Sequence, residues 1–107
     1  MKIAIPSSSD NVTAGVDDRF GRCPFFCIYN DDTMEVFFLE NKLREESGGI
    51  GPQVAEMLAN EGVKRVYSIE IGPKAQDVLN KFHIRTELVS TGHSIQQLID
   101  HFNSDKI

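Results

Sequence analysis

The chain has few of the features that are typical of membrane, secreted or nucleic-acid-binding proteins. It contains no tryptophan and only two cysteines, and no apolar run approaches the roughly 20 residues that a membrane-spanning helix needs. The apolar part of its N-terminus is too short for a secretory signal. Its formal net charge is −5, whereas a general nucleic-acid binder needs clustered lysine and arginine. We expect a cytoplasmic protein without membrane or nucleic-acid partners.

The two cysteines, Cys23 and Cys27, do not form a familiar disulfide or metal motif. On one extended segment their Cα atoms would lie roughly 13 Å apart, whereas a disulfide needs about 7 Å or less. The same separation argues against both thiolates holding one metal ion, and the sequence has neither a CxxC nor an HExxH motif. We predict two free thiols, with Cys27 in the core because its neighbours are aromatic and aliphatic.

The composition is that of an ordinary globular protein, with 40% hydrophobic and 25% charged residues. A chain of 107 residues can fill one hydrophobic core but not two. We therefore predict a single domain over residues 1–107.

Strand and helix patterns alternate along most of the chain. Short runs of branched and aromatic residues predict strands, and apolar spacing of i, i+3, i+4 predicts helices. The predicted strands are Lys2–Ile5, Phe25–Tyr29, Met34–Leu39, Lys64–Ile69 and Ile84–Val89, and the predicted helices begin near Pro52, Pro73 and Ser94. Gly62 suits a position just past the end of the first helix, and Ser94 with Gln97 forms a capping-box pattern at the start of the third. The second and third strands indicate an antiparallel hairpin, and the later alternation indicates parallel strands joined by helices. The fold class is α/β, with a mixed five-stranded sheet that includes this early hairpin.

A long connection over residues 15–24 combines positive charge with acidic residues. Long ordered loops tend to be functional. Arg19 and Arg22 could clamp a phosphate, a carboxylate or an anionic metal cluster between two guanidinium groups. Alternatively, Asp17 or Asp18 neutralises the arginines in a surface network.

Cys23 is the more reactive of the two thiols on sequence grounds. It lies between Arg22 and Pro24, in the loop and before the strand, and a neighbouring positive charge favours the thiolate. This environment would suit metal ligation or redox chemistry. A surface cysteine without function is the alternative, because the spacing supplies no second ligand.

Glycines precede two of the predicted helices. Gly48, Gly49 and Gly51 lie before the first helix, and Gly72 lies before the second. Free backbone amides and the positive end of a helix dipole can hold an anion at such entries. The segments match neither a Walker loop nor the dinucleotide fingerprint. The alternatives are a flexible hinge at the first entry and a tight turn at the second.

Four segments together resemble the dinitrogenase iron-molybdenum cofactor family, which includes NifX-type and NifY-type carriers and the C-terminal part of NifB-type proteins. These segments are MKIAIPSS, DDRFGRCPFFCIY, SGGIGPQVAEMLANEGVKRV and IGPKAQDVLNKFHI. The resemblance implies a three-layer α/β/α, ribonuclease H-like fold. It also implies the binding or carrying of an iron-sulfur or iron-molybdenum cluster precursor without turnover of a substrate.

The resemblance also implies a set of cofactor-binding residues. They are Arg19, Phe20, Gly21 and Arg22 of the RFGR segment, with Gly48, Gly49 and Gly51 of the glycine-rich helix entry. Cys23 stands where many relatives have a small residue, often alanine. Many relatives also have an ENP sequence and a histidine before the second helix, whereas this chain has ENK at residues 40–42 and no histidine there.

Our hypothesis is a non-enzymatic carrier or chaperone for a metal-sulfur cluster that is bound transiently. Cys23 is the candidate metal ligand, and Arg19 and Arg22 are its charge partners. The alternative is a cofactor-free interaction or regulatory module that partners a cluster-assembly ATPase or another assembly protein. The spacing leaves the oligomeric state open, and a homodimer would offer two copies of Cys23.

Overall fold

The computed structural model describes residues 1–104, which form a mixed sheet covered by helices on both faces. The strands are β1 (Lys2–Ser7), β2 (Phe25–Asn30), β3 (Glu35–Glu40), β4 (Val63–Ser68) and β5 (Arg85–Leu88). The helices are α1 (Gly51–Asn60), α2 (Pro73–Lys81) and α3 (Ile95–Ser104). The five strands are ordered β3-β2-β1-β4-β5. Strand β2 is antiparallel to β1 and β3, and β4 is parallel to β1 and β5. The predicted α/β class and mixed five-stranded sheet are confirmed.

The sheet divides the hydrophobic core into two parts, one on each face, because side chains alternate between its faces. Ala4 packs into the core that contains α1 and α2, whereas its neighbours Ile3 and Ile5 pack into the core that contains α3. Leu58 of α1 and Leu79 of α2 are fully buried in the first core. The structure therefore has three layers. The ribonuclease H-like assignment and the single domain over residues 1–107 stay predictions.

Several predicted boundaries are set by local chemistry. Pro52 lies in the first turn of α1, and Gly62 follows that helix with a φ of +82°, a conformation that glycine adopts readily. At α3, the Ser94 backbone N–H donates to Gln97 Oε1, and the Gln97 backbone N–H donates to Ser94 Oγ, forming the predicted capping box. Strand β3 begins one residue later than predicted, because Met34 has a φ of +62° and belongs to the turn.

The topology gathers the loops that carry the candidate residues at one edge of the sheet. Because β3 is antiparallel to β2, it runs in the same direction as β1, β4 and β5. The segments that follow these strands therefore lie beside one another at their carboxyl ends, where open α/β sheets bind ligands. Within residues 1–104, no helix is long and apolar enough to cross a membrane.

The burial pattern predicts a large stability difference between two leucines. Leu79→Ala should lower the free energy of unfolding by about 3 kcal/mol, because Leu79 is fully buried between α2 and the sheet. Leu88→Ala should change it by less than about 0.5 kcal/mol, because Leu88 is 65% exposed. Urea unfolding of both variants tests this, and equal losses would contradict the described packing.

Candidate functional site

A cavity of about 640 Å³ lies at this edge of the sheet, and we call it the RFGR pocket. Residues 18–22 form one side, Gly49, Gly51 and Pro52 at the start of α1 form a second, and residues 70–75 around the start of α2 form a third. The structure thus brings together the RFGR segment and both glycine-containing helix entries. Gly48, which was also predicted, is not among the lining residues.

Three small residues allow the sides of the pocket to approach closely. A Cβ atom on Gly21 would lie 3.7 Å from the backbone nitrogen of Gly51, and one on Gly51 would lie 3.1 Å from the Cβ of Ala75. A side chain at Gly51 would therefore crowd Ala75 in the first turn of α2, and one at Gly21 would occupy the space between the RFGR segment and the start of α1. As a result, the amino-terminal ends of α1 and α2 lie next to each other beside the RFGR segment. Both helix ends carry a partial positive charge and free backbone amides.

Arg19 is held by an aspartate that lies two residues before it. Its Nε donates to Asp17 Oδ1 at 3.0 Å, its Nη2 donates to Asp17 Oδ2 at 2.9 Å, and its backbone N–H donates to Asp17 Oδ1 at 2.8 Å. Burial of Asp17 by itself would raise the pKa of this carboxyl, but the hydrogen bonds from Arg19 outweigh burial and lower the pKa. The alternative that an aspartate neutralises the arginine is confirmed for Arg19, which still lines the pocket.

Arg22 has a different role, because its guanidinium binds backbone carbonyls. Nη1 donates to the carbonyl oxygens of Arg44 at 2.7 Å and Glu46 at 3.0 Å, and Nη2 donates to that of Gly48 at 2.9 Å. Within residues 1–104, no carboxylate forms an ion pair with Arg22. Arg22 thus anchors the glycine-rich loop while its positive charge stays at the pocket. Gly48 contributes to this anchor with a φ of +89°, a backbone conformation that favours glycine.

The structure corrects our prediction for Cys23. The side chain is fully buried, and its thiol donates to the carbonyl oxygen of Phe20 at a sulfur-oxygen distance of 3.6 Å. Burial, followed by the nearby negative charge of Asp17, raises the pKa of Cys23 to about 12. The expectation that Arg22 favours an accessible thiolate is wrong, because the guanidinium turns to the glycine-rich loop and the sulfur turns to the core.

The ligand role of Cys23 stays a prediction, but the sulfur is not exposed at the pocket. Among the described residues, no three His, Cys, Asp or Glu side chains are grouped so that they could hold a metal ion. Cys23 and Cys27 are both free, as predicted. Burial also raises the pKa of Cys27 to about 12, which agrees with its predicted place in the core.

Asn41 is a site residue that the sequence analysis missed. It is fully buried, and its Nδ2 donates to the carbonyl oxygens of Gly21 at 2.9 Å and Cys23 at 3.0 Å. Its backbone N–H donates to Pro24 O at 2.9 Å, and its Oδ1 accepts from the Leu43 N–H at 3.2 Å. Asn41 therefore joins the RFGR segment to the loop before α1. The short-range bond to Leu43 is a recognisable asparagine turn, whereas the bonds across 18 and 20 residues have no local signal.

Lys74 and Glu70 were also missed, because the segment around Gly72 was interpreted mainly as a turn. Both side chains are exposed and line the pocket. Lys74 lies in the first turn of α2, and it forms no ion pair in the part of the chain that the structure describes. With Arg19 and Arg22 it makes three cations around the pocket, against the lining carboxylates of Asp18 and Glu70 and the Asp17 carboxylate that is paired with Arg19.

Comparison with known sequences identifies a family and a relative. The family model described as dinitrogenase iron-molybdenum cofactor matches residues 1–105. The uncharacterized protein MJ0580 of Methanocaldococcus jannaschii is 32% identical over 110 aligned positions, which include all of this chain and 89% of that protein.

Solved structures share the whole fold. The apo form of the orange protein from Desulfovibrio gigas superposes with a TM-score of 0.91 at 27% identity, over 97% of this chain and 88% of the other. A candidate NifB protein from Thermotoga, solved by NMR, has a TM-score of 0.82 at 29% identity, over 96% of this chain and 87% of the other. The predicted resemblance to the family is confirmed.

Asn41→Leu should lower the free energy of unfolding by about 3 kcal/mol, because it leaves the buried carbonyl oxygen of Cys23 and the part-buried one of Gly21 without their donor. Asn60→Leu is the matched control, since Asn60 is exposed and its side chain makes no hydrogen bond within residues 1–104. We expect a change of less than about 0.5 kcal/mol for the control in urea unfolding. Similar losses in both variants would contradict the role assigned to Asn41.

Both thiols should react slowly in the folded protein. Burial raises the pKa of Cys23 to about 12, so very little of its thiol is ionised at pH 8, and burial also hinders access. A disulfide reagent at pH 8 should therefore modify both cysteines rapidly in denaturant and neither rapidly in buffer. Cys23→Ser and Cys27→Ser assign each reaction, and a fast native reaction that disappears in Cys23→Ser would contradict the buried position.

Proposed function

The chain belongs to the dinitrogenase iron-molybdenum cofactor family, and from this membership we propose that it carries an anionic iron-sulfur or iron-molybdenum cluster precursor, bound transiently in the RFGR pocket. The cluster is cargo and undergoes no turnover on the protein. The observation that carries the proposal is the meeting of Arg19, Arg22 and Lys74 with two helix starts around one cavity.

The charge distribution of the pocket suits an anion with many acceptor atoms. Guanidinium groups present several donors in a fixed plane, and helix starts add backbone N–H donors and a partial positive charge. Sulfur atoms of iron-sulfur clusters accept hydrogen bonds of this kind from proteins. A volume of about 640 Å³ also lies within the range of roughly 300 to 1,000 Å³ that is usual for ligand pockets.

The lining residues favour binding by charge and hydrogen bonds over direct metal coordination. None of the described lining residues is a cysteine, histidine or methionine, and the Cys23 sulfur is buried. A cluster that keeps its own terminal ligands would therefore fit this pocket best. Asp18 and Glu70 at the rim, with Asp17 paired to Arg19, balance the formal charge of the three cations, which would weaken binding and favour release to an acceptor.

This function implies partners that supply and receive the cluster. We propose cluster-assembly proteins or a cluster-assembly ATPase in that role, in the cytoplasm. A reducing compartment agrees with the two free thiols.

A second candidate function is a cofactor-free interaction module on the same fold. It is favoured by the lack of a grouped metal-ligand set within residues 1–104. In that case the RFGR pocket would bind an anionic group of a partner protein, either a side-chain carboxylate or the C-terminal carboxylate. Titration with a cluster separates the two functions.

We predict that the parent protein and Cys23→Ala bind a synthetic thiolate-ligated iron-sulfur cluster equally, because the pocket does not use the buried sulfur. Lys74→Gln should weaken binding by roughly three- to tenfold, which corresponds to about 0.7 to 1.4 kcal/mol, because it removes one exposed cation from the pocket. Anaerobic titration, followed by desalting, visible absorption and iron analysis, measures these affinities.

Lys81→Gln is the matched control, because Lys81 is an exposed lysine at the other end of the same helix. It removes the same charge outside the pocket and should leave binding unchanged. Loss of binding in Cys23→Ala would instead assign the cluster to a cysteine ligand. No binding by the parent would favour the interaction module, and equal weakening by both lysine variants would show an effect of net charge alone.

A further inference from the structure

The two edges of the sheet differ in a way that points to an interaction surface. Strand β5 at one edge has only four residues, and its Arg85 and Glu87 are exposed and charged. Strand β3 at the other edge has six residues that pair with β2 in an unbroken register. Natural proteins usually protect edge strands by shortening them, bending them or placing lysine or proline in them. Strand β3 has no lysine, proline or bulge, and its only charged residues are Glu35 and Glu40 at its two ends.

Strand β3 also exposes apolar side chains on both faces of the sheet. Val36 is 38% exposed and lies opposite Tyr29, on the face that α3 covers. Phe37 is 43% exposed and lies opposite Ile28, on the face that α1 and α2 cover. Met34, in the preceding turn, is 73% exposed. The apolar surface therefore continues around the edge and is not confined to one packed face.

We propose that β3 is a docking edge that accepts an extended segment of a partner protein as a sixth strand. The partner segment would be apolar at its centre, where it meets Val36 and Phe37, and would carry lysine or arginine at both ends. Glu35 and Glu40 are exposed at the two ends of β3 and supply the opposite charges. Backbone hydrogen bonds give such an added strand its affinity, and side-chain contacts on the two faces give it specificity.

The charges of β3 disfavour a second copy of the chain as the occupant. A two-fold dimer through this edge pairs the two β3 strands antiparallel. In the centred register, Glu35 of each copy would face Glu40 of the other, and like charges directly opposite each other destabilise a sheet. A partner segment with basic ends replaces both repulsions with attractions.

The docking edge is close in sequence to the RFGR pocket but separate from it. Strand β3 ends at Glu40, and the next residue is Asn41, which holds the RFGR segment. None of the residues of β3 lines the pocket. The proposal therefore does not depend on cluster binding and can fail or succeed independently.

A synthetic peptide of alternating valine and threonine with lysine at each end tests the docking edge. Fluorescence anisotropy gives its affinity, and shifts of the backbone amide NMR signals locate it on the protein. We expect shifts along β3 and an affinity at least roughly tenfold higher than that of the same peptide with glutamate ends at low ionic strength. Phe37→Lys should weaken binding of the lysine-ended peptide by roughly tenfold or more.

Leu88→Lys is the matched control, because Leu88 is an exposed apolar residue of the opposite edge strand. It should leave the affinity unchanged. If Phe37→Lys lowers the unfolding temperature of the protein, Val36→Lys provides the same test on the other face. The proposal is overturned if the lysine-ended peptide does not bind at millimolar concentration, or if the lysine-ended and glutamate-ended peptides bind equally. It is likewise overturned if neither Phe37→Lys nor Val36→Lys weakens binding of the lysine-ended peptide. It is also overturned if the parent self-associates through β3, which would assign the edge to a second copy.

Discussion

The site depends on the close approach of backbone segments at Gly21, Gly51 and Ala75. A Cβ atom on Gly51 would lie 3.1 Å from the Cβ of Ala75, which is tighter than ordinary contact, so a side chain at Gly51 would require the first turns of α1 and α2 to shift by a few tenths of an ångström. Gly21 brings the RFGR segment against the same point. The two helix starts and the arginine segment meet at one cavity, and the tightest approach there is between Gly51 and Ala75. This constraint is steric, and the charges of the pocket follow from it.

The cations around the cavity divide their roles between structure and binding. Arg19 is paired with Asp17, and Arg22 is bound to three carbonyl oxygens, so both arginines hold the loops in place while they contribute positive charge. Lys74 makes no comparable ion pair within residues 1–104. In this division the two arginines connect the loops and Lys74 is the cation that is available to a ligand. Under the proposed function, a pocket without an accessible thiol would hold its cargo by charge and hydrogen bonds alone.

The sequence predicted what local chemistry determines and missed what depends on distant contacts. The capping box of Ser94 and Gln97 and the turn at Gly62 follow from neighbouring residues, and both were found. Asn41 was missed because its two carbonyl partners are 18 and 20 residues away. Cys23 was placed wrongly because proximity to Arg22 in sequence does not determine which way either side chain turns. The family resemblance identified the RFGR and glycine-rich segments, but their meeting in one pocket required the fold.

The central claim is that an anionic cluster binds at the meeting point of the RFGR segment and the two helix starts, without a bond to a cysteine. The most direct test is a crystal structure of the cluster-loaded protein with anomalous diffraction at the iron edge. The account predicts an iron signal inside the RFGR pocket, close to Gly21, Gly51 and Lys74, with the Cys23 sulfur still buried and unbonded to iron. An iron signal bonded to the Cys23 sulfur, or one located outside the pocket, would contradict it.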